Sequence, residues 1–282
     1  MTSVTSVTST AAAGPSGGGG RPSWIGRWAR GATGIVVFLL LAEAAGRLGI
    51  ISRAALPLAS SVLWRAVLLA GNGRFIADVG ATVEAWAVGL AITVAVGVPL
   101  GVLLGSLPGV RVATKAIVEF LRPIPSVALI LLVSLLLGPG LRMSATLIVY
   151  GAIWPVLYNT MAGIDDVDPL AMETHRAFGF SRLQAVWMVS LPSAAPYIGT
   201  GMRLASAVAL ILDIATGYIT GAINGPGIGA YISQESTGSN DLTVILAATV
   251  WAGLLGLVLD LLLTMLQRRL LRWHHVRLGE TE

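Results

Sequence analysis

The chain has 282 residues, of which 55% are hydrophobic and only 11% charged, and its mean hydropathy is +0.81. That balance excludes a soluble domain of this size and makes a bilayer the solvent. The net charge of +4 comes from basic residues at the ends of apolar stretches, not from a basic stripe with interleaved aromatics, so nucleic acid is not an expected partner. No cysteine is present, which excludes disulfides, thiolate metal sites and cysteine nucleophiles.

In chain order, residues 1–30 open with a Ser, Thr and Gly-rich stretch and are expected to form a disordered cytoplasmic tail. Apolar runs then predict six transmembrane helices, at about 31–51, 80–106, 113–138, 142–162, 196–222 and 242–266, because a stretch of roughly 20 apolar residues satisfies its own backbone across about 30 Å of hydrocarbon. The expected fold class is therefore all-α and polytopic. Residues 54–75 are amphipathic and are placed at the outer surface. In the second span Gly97, Gly101 and Gly105 share one helix face, open to close approach by another helix, and Pro99 predicts a kink. Asn224-Gly225-Pro226-Gly227-Ile228-Gly229 cannot stay helical and predicts a loop or a short re-entrant segment. Residues 274–282 form a C-terminal tail.

Charge sets the orientation. Arg21, Arg27, Arg30, Arg111, Lys115, Arg122, Arg176, Arg182, Arg268, Arg269, Arg272 and Arg277 fall on one side of the predicted spans. Arg47, Arg53, Arg65, Arg74 and Arg142 fall on the other, so the first side, with both termini, is expected in the cytoplasm.

The only lysine is Lys115, and no G-x-x-x-x-G-K-[ST] run exists, so the chain has no phosphate-cradling loop of its own. His175, His274 and His275 all lie on the predicted cytoplasmic side, away from any intramembrane carboxylate, which supports neither a triad nor a zinc site. The expectation is a chain with no catalytic residues, no metal ligands and no cofactor.

The longest patterned polar insertion is 165–192. Asp168 can cap a helix with Pro169 at its first position, and Gly179 can end it in a left-handed turn. This predicts a short helix over about 170–178 and a second one leading to Leu191-Pro192. Here Glu173 is followed six residues on by Gly179, then by nine residues, then by Val189-Ser190-Leu191-Pro192. The spacing resembles the EAA loop of ATP-binding-cassette importer permeases, whose pattern is E-A-A, three residues, G, nine residues, hydrophobic-x-L-P.

Over roughly 60–273 the chain is similar to the nitrate, sulfonate and taurine group of those permeases. The shared features are Thr82-Val83-Glu84, Arg122-Pro123-Ile124-Pro125 before Ala128-Leu129, Asn159, Gly163, Pro196, Gly201 with Arg203, Gly227 with Gly229, and the basic end from Arg268 to Trp273.

That resemblance implies that 165–192 is a cytoplasmic coupling loop carried by Glu173, Thr174, His175, Ala177, Phe178, Gly179, Leu191 and Pro192. It implies a cytoplasmic ATPase dimer that binds ATP and magnesium, a second permease subunit, an extracytoplasmic substrate-binding protein, and a place in the bacterial inner membrane. The solute would be small, such as a sulfonate, nitrate or a similar organic anion. Thr174 and His175 replace the two family alanines, which leaves the usual close packing open.

Glu43, Asp213 and Asp260 fall within predicted spans, where an unpaired carboxylate costs about 2.5 kcal/mol or more. Similar permeases carry a glutamate at the position of Gly217, and Asp213 lies one turn earlier on the same face. The translocation pathway is therefore expected to involve Asp213, Gly217, Pro123, Pro125 and Asn159, while Glu43 and Asp260 read as helix contacts. The alternatives are a secondary transporter, which usually shows internal repeats, and an integral membrane enzyme, which needs a convergent nucleophile, base or metal site.

Overall fold

A computed structural model describes residues 24–52, 55–221 and 225–270. The regular elements of the described residues are all helical, with no strand: α1 (Trp24–Arg47), α2 (Ala59–Leu69), α3 (Gly73–Ser106), α4 (Pro108–Leu121), α5 (Leu129–Leu137), α6 (Leu141–Asp165), α7 (Pro169–Ala177), α8 (Arg182–Ala185), α9 (Leu191–Thr220), α10 (Ile228–Thr237) and α11 (Leu242–Leu270). The expected C-terminal tail and His274, His275 and Trp273 lie outside the described residues.

Four helical stretches are long and apolar enough to cross a bilayer: α3, α6, the run 183–220 and α11. The pair α4 and α5 is bent by 62° at the Pro123 and Pro125 break and would make a fifth crossing. Among the described residues the count is thus four or five, which does not confirm the six expected. The difference is α1, whose charge-free segment runs only from 31 to 42, about 18 Å of helix at 1.5 Å per residue against the ~30 Å of hydrocarbon. α1 also starts at Trp24, inside the segment expected to be a disordered tail, because the end of an apolar run marks a polarity boundary and no proline or cap stops the helix there.

The core of the bundle is α6 packed between α3 and α9. The small-residue face of α3 makes one side of that contact. A Cβ on Gly89, Gly97, Gly101 or Gly105 would sit 2.6, 3.0, 2.5 or 2.8 Å from Ile148, Val156, Thr160 or Ile164 of α6. In a bilayer, where lipid is as apolar as leucine, this closeness of backbones is what holds helices together. Across α6, Gly163 and Gly201 admit α9 in the same way, against Ala194 and Asn159. Ile148, Ala152, Val156, Ala205, Ala209 and Leu212 are buried in this seam. By contrast Leu135 and Leu136 of α5 are 85% and 73% exposed, an apolar surface that only lipid or another apolar surface solvates.

A second cluster joins α2, the start of α3, α10 and α11 around Phe75, which meets Tyr231 and Trp251 edge-on at 5.0 and 5.8 Å. The 54–75 segment is thus more than a surface element: Val62, Ala66 and Leu69 are buried, and Trp251 Nε1 donates to the Ala66 carbonyl at 2.9 Å. Between α9 and α11 the sequence predicts a loop or short re-entrant segment. The chain there forms α10, a ten-residue helix with Ile228 to Ser233 buried.

Candidate functional site

At one end of the bundle lies the 165–192 loop, built by local interactions. Asp168 Oδ1 accepts from the Leu170 N–H at 2.9 Å and starts α7, as its cap position predicts. Gly179 takes φ +79°, and the Phe180 N–H reaches back to the His175 carbonyl at 3.4 Å, the long bond of a left-handed helix end. The His175 ring stacks on Phe180 at 4.3 Å and supplies the side-chain contact that such an end calls for. His175 therefore has a packing partner within the loop, where the family alanine would have none.

The second loop helix begins with a reciprocal cap. Ser181 N–H donates to Gln184 Oε1 at 2.8 Å, and Gln184 N–H donates to Ser181 Oγ at 3.3 Å. The chain then passes through a π-helical turn, Val186–Ser190, straight into α9, so Leu191 and Pro192 continue a helix and do not interrupt it. The wider turn accommodates Pro192, which has no N–H to give.

Arg111 binds Asp165 at 2.9 Å and the Tyr197 hydroxyl donates to Asp166 at 2.8 Å, tying the loop to α4 and α9. What the loop presents outward is apolar: Leu170, Phe178, Leu183 and Trp187 are all more than 60% exposed, and Glu173 and Thr174 are exposed beside them. Beneath it, between the ends of α3 and α6, a cavity of about 620 Å³ is lined by Ser106, Ile164, Met172, Phe180 and Ser190.

At the other end Asp213 is buried, 7% exposed, 22 residues along α9 from Leu191 and hence about 33 Å away at 1.5 Å per residue. The Thr82 and Ser144 hydroxyls of α3 and α6 stand beside its carboxylate. Thr82 Oγ1 in turn accepts from the Ile228 N–H at 3.0 Å, and Asp78 Oδ1 accepts from the Gly227 N–H at 3.0 Å. Two side chains of α3 thus cap the N-terminus of α10.

α10 lies almost backbone to backbone on α9. A Cβ on Gly229 would fall 2.0 Å from the Ile214 carbonyl oxygen, and one on Gly221 2.3 Å from Ala230. Asp213, Ser144, Thr216, Gly217 and Glu84 line one cavity of about 50 Å³, together with Pro139 and Pro226.

Of the five expected pathway residues, this cavity unites Asp213 and Gly217. Pro123 and Pro125 lie in the α4–α5 break, which is held to α6 by Arg122 over the Tyr158 ring at 4.7 Å and by the Tyr150 hydroxyl bonded to the Leu121 carbonyl at 2.7 Å. Asn159 donates to the Pro155 carbonyl at 2.8 Å in the α6–α9 seam. Neither the prolines nor Asn159 borders the Asp213 cavity.

The other two acids of the expected spans are helix contacts. Glu43 accepts from Arg47 and from the Ser60 N–H and hydroxyl of α2, and Asp260 makes a two-pronged pair with Arg203 at 3.0 Å. Sequence reading missed Asp78, Ser144 and Thr216. Asp78 and Thr82 stand one turn apart on a helix face at the mouth of a span, and that pairing was the one signal available.

The sequence pattern of the family described as "binding-protein-dependent transport system inner membrane component" matches residues 97–272, more than half of the chain. The taurine transport system permease protein TauC of Escherichia coli K12 is 33% identical over 168 residues, 59% of each chain. The putative aliphatic sulfonates transport permease protein SsuC of Bacillus subtilis is 25% identical over 248 residues, 88% of each. The match thus spans about three-fifths of the taurine permease's own length. In fold, the chain is similar to a membrane subunit of the MetNI methionine ABC transporter, with a TM-score of 0.57 and 22% identity over 70% of this chain and 94% of that one. The chain belongs to the family of binding-protein-dependent transport system inner membrane components.

Proposed function

We propose that the chain is the membrane-spanning permease subunit of an ATP-binding-cassette importer, moving a small solute handed over by an extracytoplasmic binding protein. The observation that carries this reading is the 165–192 loop: a capped helix, a left-handed stop at Gly179 and an outward apolar face on a polar loop. An apolar face of that kind fits a partner's groove better than water. In this reading Glu173, Thr174, Ala177, Phe178 and Gly179 dock on a cytoplasmic ATPase dimer that binds ATP and magnesium. Leu191 and Pro192 pass its movement into α9, and Asp213 and Gly217 sit at the extracytoplasmic gate about 33 Å away. The loop end and both termini are cytoplasmic, and a second permease subunit completes the pathway. The permease itself makes and breaks no bonds. Taurine and sulfonate relatives support a sulfonate-like solute.

The test is co-expression with the candidate ATPase, comparing wild type, Gly179→Val and Gly179→Asn for co-purification and ATP hydrolysis. Valine is strained at φ +79° and asparagine is tolerated, so the expected result is loss of the complex with valine and its retention with asparagine. A wild-type chain that never engages an ATPase would overturn the reading in favour of a secondary transporter.

A further inference from the structure

The cavity at Asp213 has a chemistry that the importer reading leaves unused. Asp213 is 93% shielded, yet among the described residues no lysine, arginine or histidine pairs with it; the ion pairs of the described residues are made by Glu43, Asp165, Glu119 and Asp260. Its described neighbours are the hydroxyls of Thr82 and Ser144, which neutralise no charge. A second observation points into the same space. Thr216 lines the cavity at 2% exposure, and among the described residues its Oγ1 has no hydrogen-bond partner. A buried hydroxyl left unpaired carries a desolvation cost, which a ligand able to reach it would recover. Glu84, exposed at the cavity wall, adds a second negative group, and no basic residue is among the described lining residues.

We infer that this cavity is a binding subsite for a primary ammonium group. The assignment rests on the importer reading for the direction of transport, but the binding chemistry stands on the residues themselves. An ammonium carries one positive charge and three N–H donors. The cavity is lined by one buried carboxylate residue, Asp213, and by two hydroxyl residues, Ser144 and Thr216. A volume of about 50 Å³ admits a group of that size, and a quaternary ammonium head has no N–H to donate to these oxygens. Metal ions fit less well, since a hard cation asks for six or more oxygens and no group of three or more acidic or histidine side chains exists among the described residues. A small inorganic anion would meet Asp213 and Glu84 unopposed, so the solute this site favours is an amine-bearing one.

The experiment is thermal unfolding of the purified permease–ATPase complex titrated with methylammonium chloride, and with tetramethylammonium chloride at the same ionic strength. Binding to the folded state raises Tm in a saturable way. The expected result is a rise with methylammonium and none with tetramethylammonium. In Asp213→Asn the midpoint should move up about a hundredfold, since a charge-assisted contact is lost. In the near-isosteric Thr216→Val it should move about tenfold. Should Asp213→Asn fail to fold, Thr216→Val carries the test.

Taurine against ethanesulfonate separates the two sources of the group. A rise with taurine alone assigns the site to the solute's own amine, and a rise with methylammonium but neither sulfonate assigns it to a free amine cation; both sustain the subsite. No response to methylammonium in wild type, a midpoint unchanged in both variants, or an equal response to sodium overturns it. A complex that assembles and hydrolyses ATP yet ignores methylammonium would sink the subsite and leave the importer reading standing. If no complex forms, the titration is made on the permease alone, and the two ideas fall or survive separately.

Discussion

The two ends of the bundle are built differently. At the loop end the contacts that shape the helices themselves join residues within six positions of each other, Asp168 with Leu170, Ser181 with Gln184 and His175 with Phe180, while Arg111–Asp165 and Tyr197–Asp166 moor the loop to α4 and α9. At the Asp213 end the partners are far apart in sequence: Asp78 with Gly227, Thr82 with Ile228, Asp213 with Ser144. The loop end is exposed and apolar outward, whereas the Asp213 end is buried and polar inward. A locally built end keeps its shape when neighbouring helices shift, which suits an element that docks and transmits. An end assembled from four helices changes whenever any of them moves, which suits a gate.

That contrast can be broken by mutation, and the largest effect is expected at Gly229. Its Cβ would overlap the Ile214 carbonyl oxygen at 2.0 Å, so Gly229→Ala must force α10 off α9. Overpacking of this kind costs about 3 kcal/mol, and for a chain of this size that is roughly 6–12 °C in Tm. Unchanged Tm by thermal unfolding in detergent would mean that the two helices are not in backbone contact.

A smaller loss is expected from Asp78→Ala, which uncaps α10 at Gly227. A lost cap is worth about 1 kcal/mol, and amide exchange across 228–233 should rise while that of α7 stays level. Equal changes at both ends would erase the distinction drawn between them.

The smallest effect is expected at the loop. His175→Ala removes the stack on Phe180 and restores a family-like residue, at a cost of about 0.5 kcal/mol. Tm should hold, and ATPase binding should change by less than threefold. A tenfold weaker ATPase complex would instead make His175 a direct contact with the partner.

Much of the loop was legible because its rules are local. A cap, a proline at the first position and a glycine at the end are read in sequence order, and α7 runs from Pro169 to Ala177 as they imply. The glycine face of α3 was legible for the same reason, since residues four apart share a face whatever lies opposite. The Pro123 and Pro125 break was legible as a bend, though not as one packed on Tyr150 and Tyr158, away from Asp213.

The sequence by itself determined that this chain lives in a bilayer, where its main helices run, and that one polar loop holds a capped helix stopped at Gly179. These follow from composition and from short-range backbone needs. The tertiary structure alone decided that, among the described residues, Asp213 goes without a cation while Glu43 and Asp260 do not, that Thr216 is left unpaired beside it, and that ten residues after Gly227 form a helix. The physical reason is the bilayer. Lipid and protein interior are both apolar, so a membrane helix shows little amphipathic period to say which face turns inward. Only the packing of α3, α6, α9 and α10 reveals which polar side chains meet.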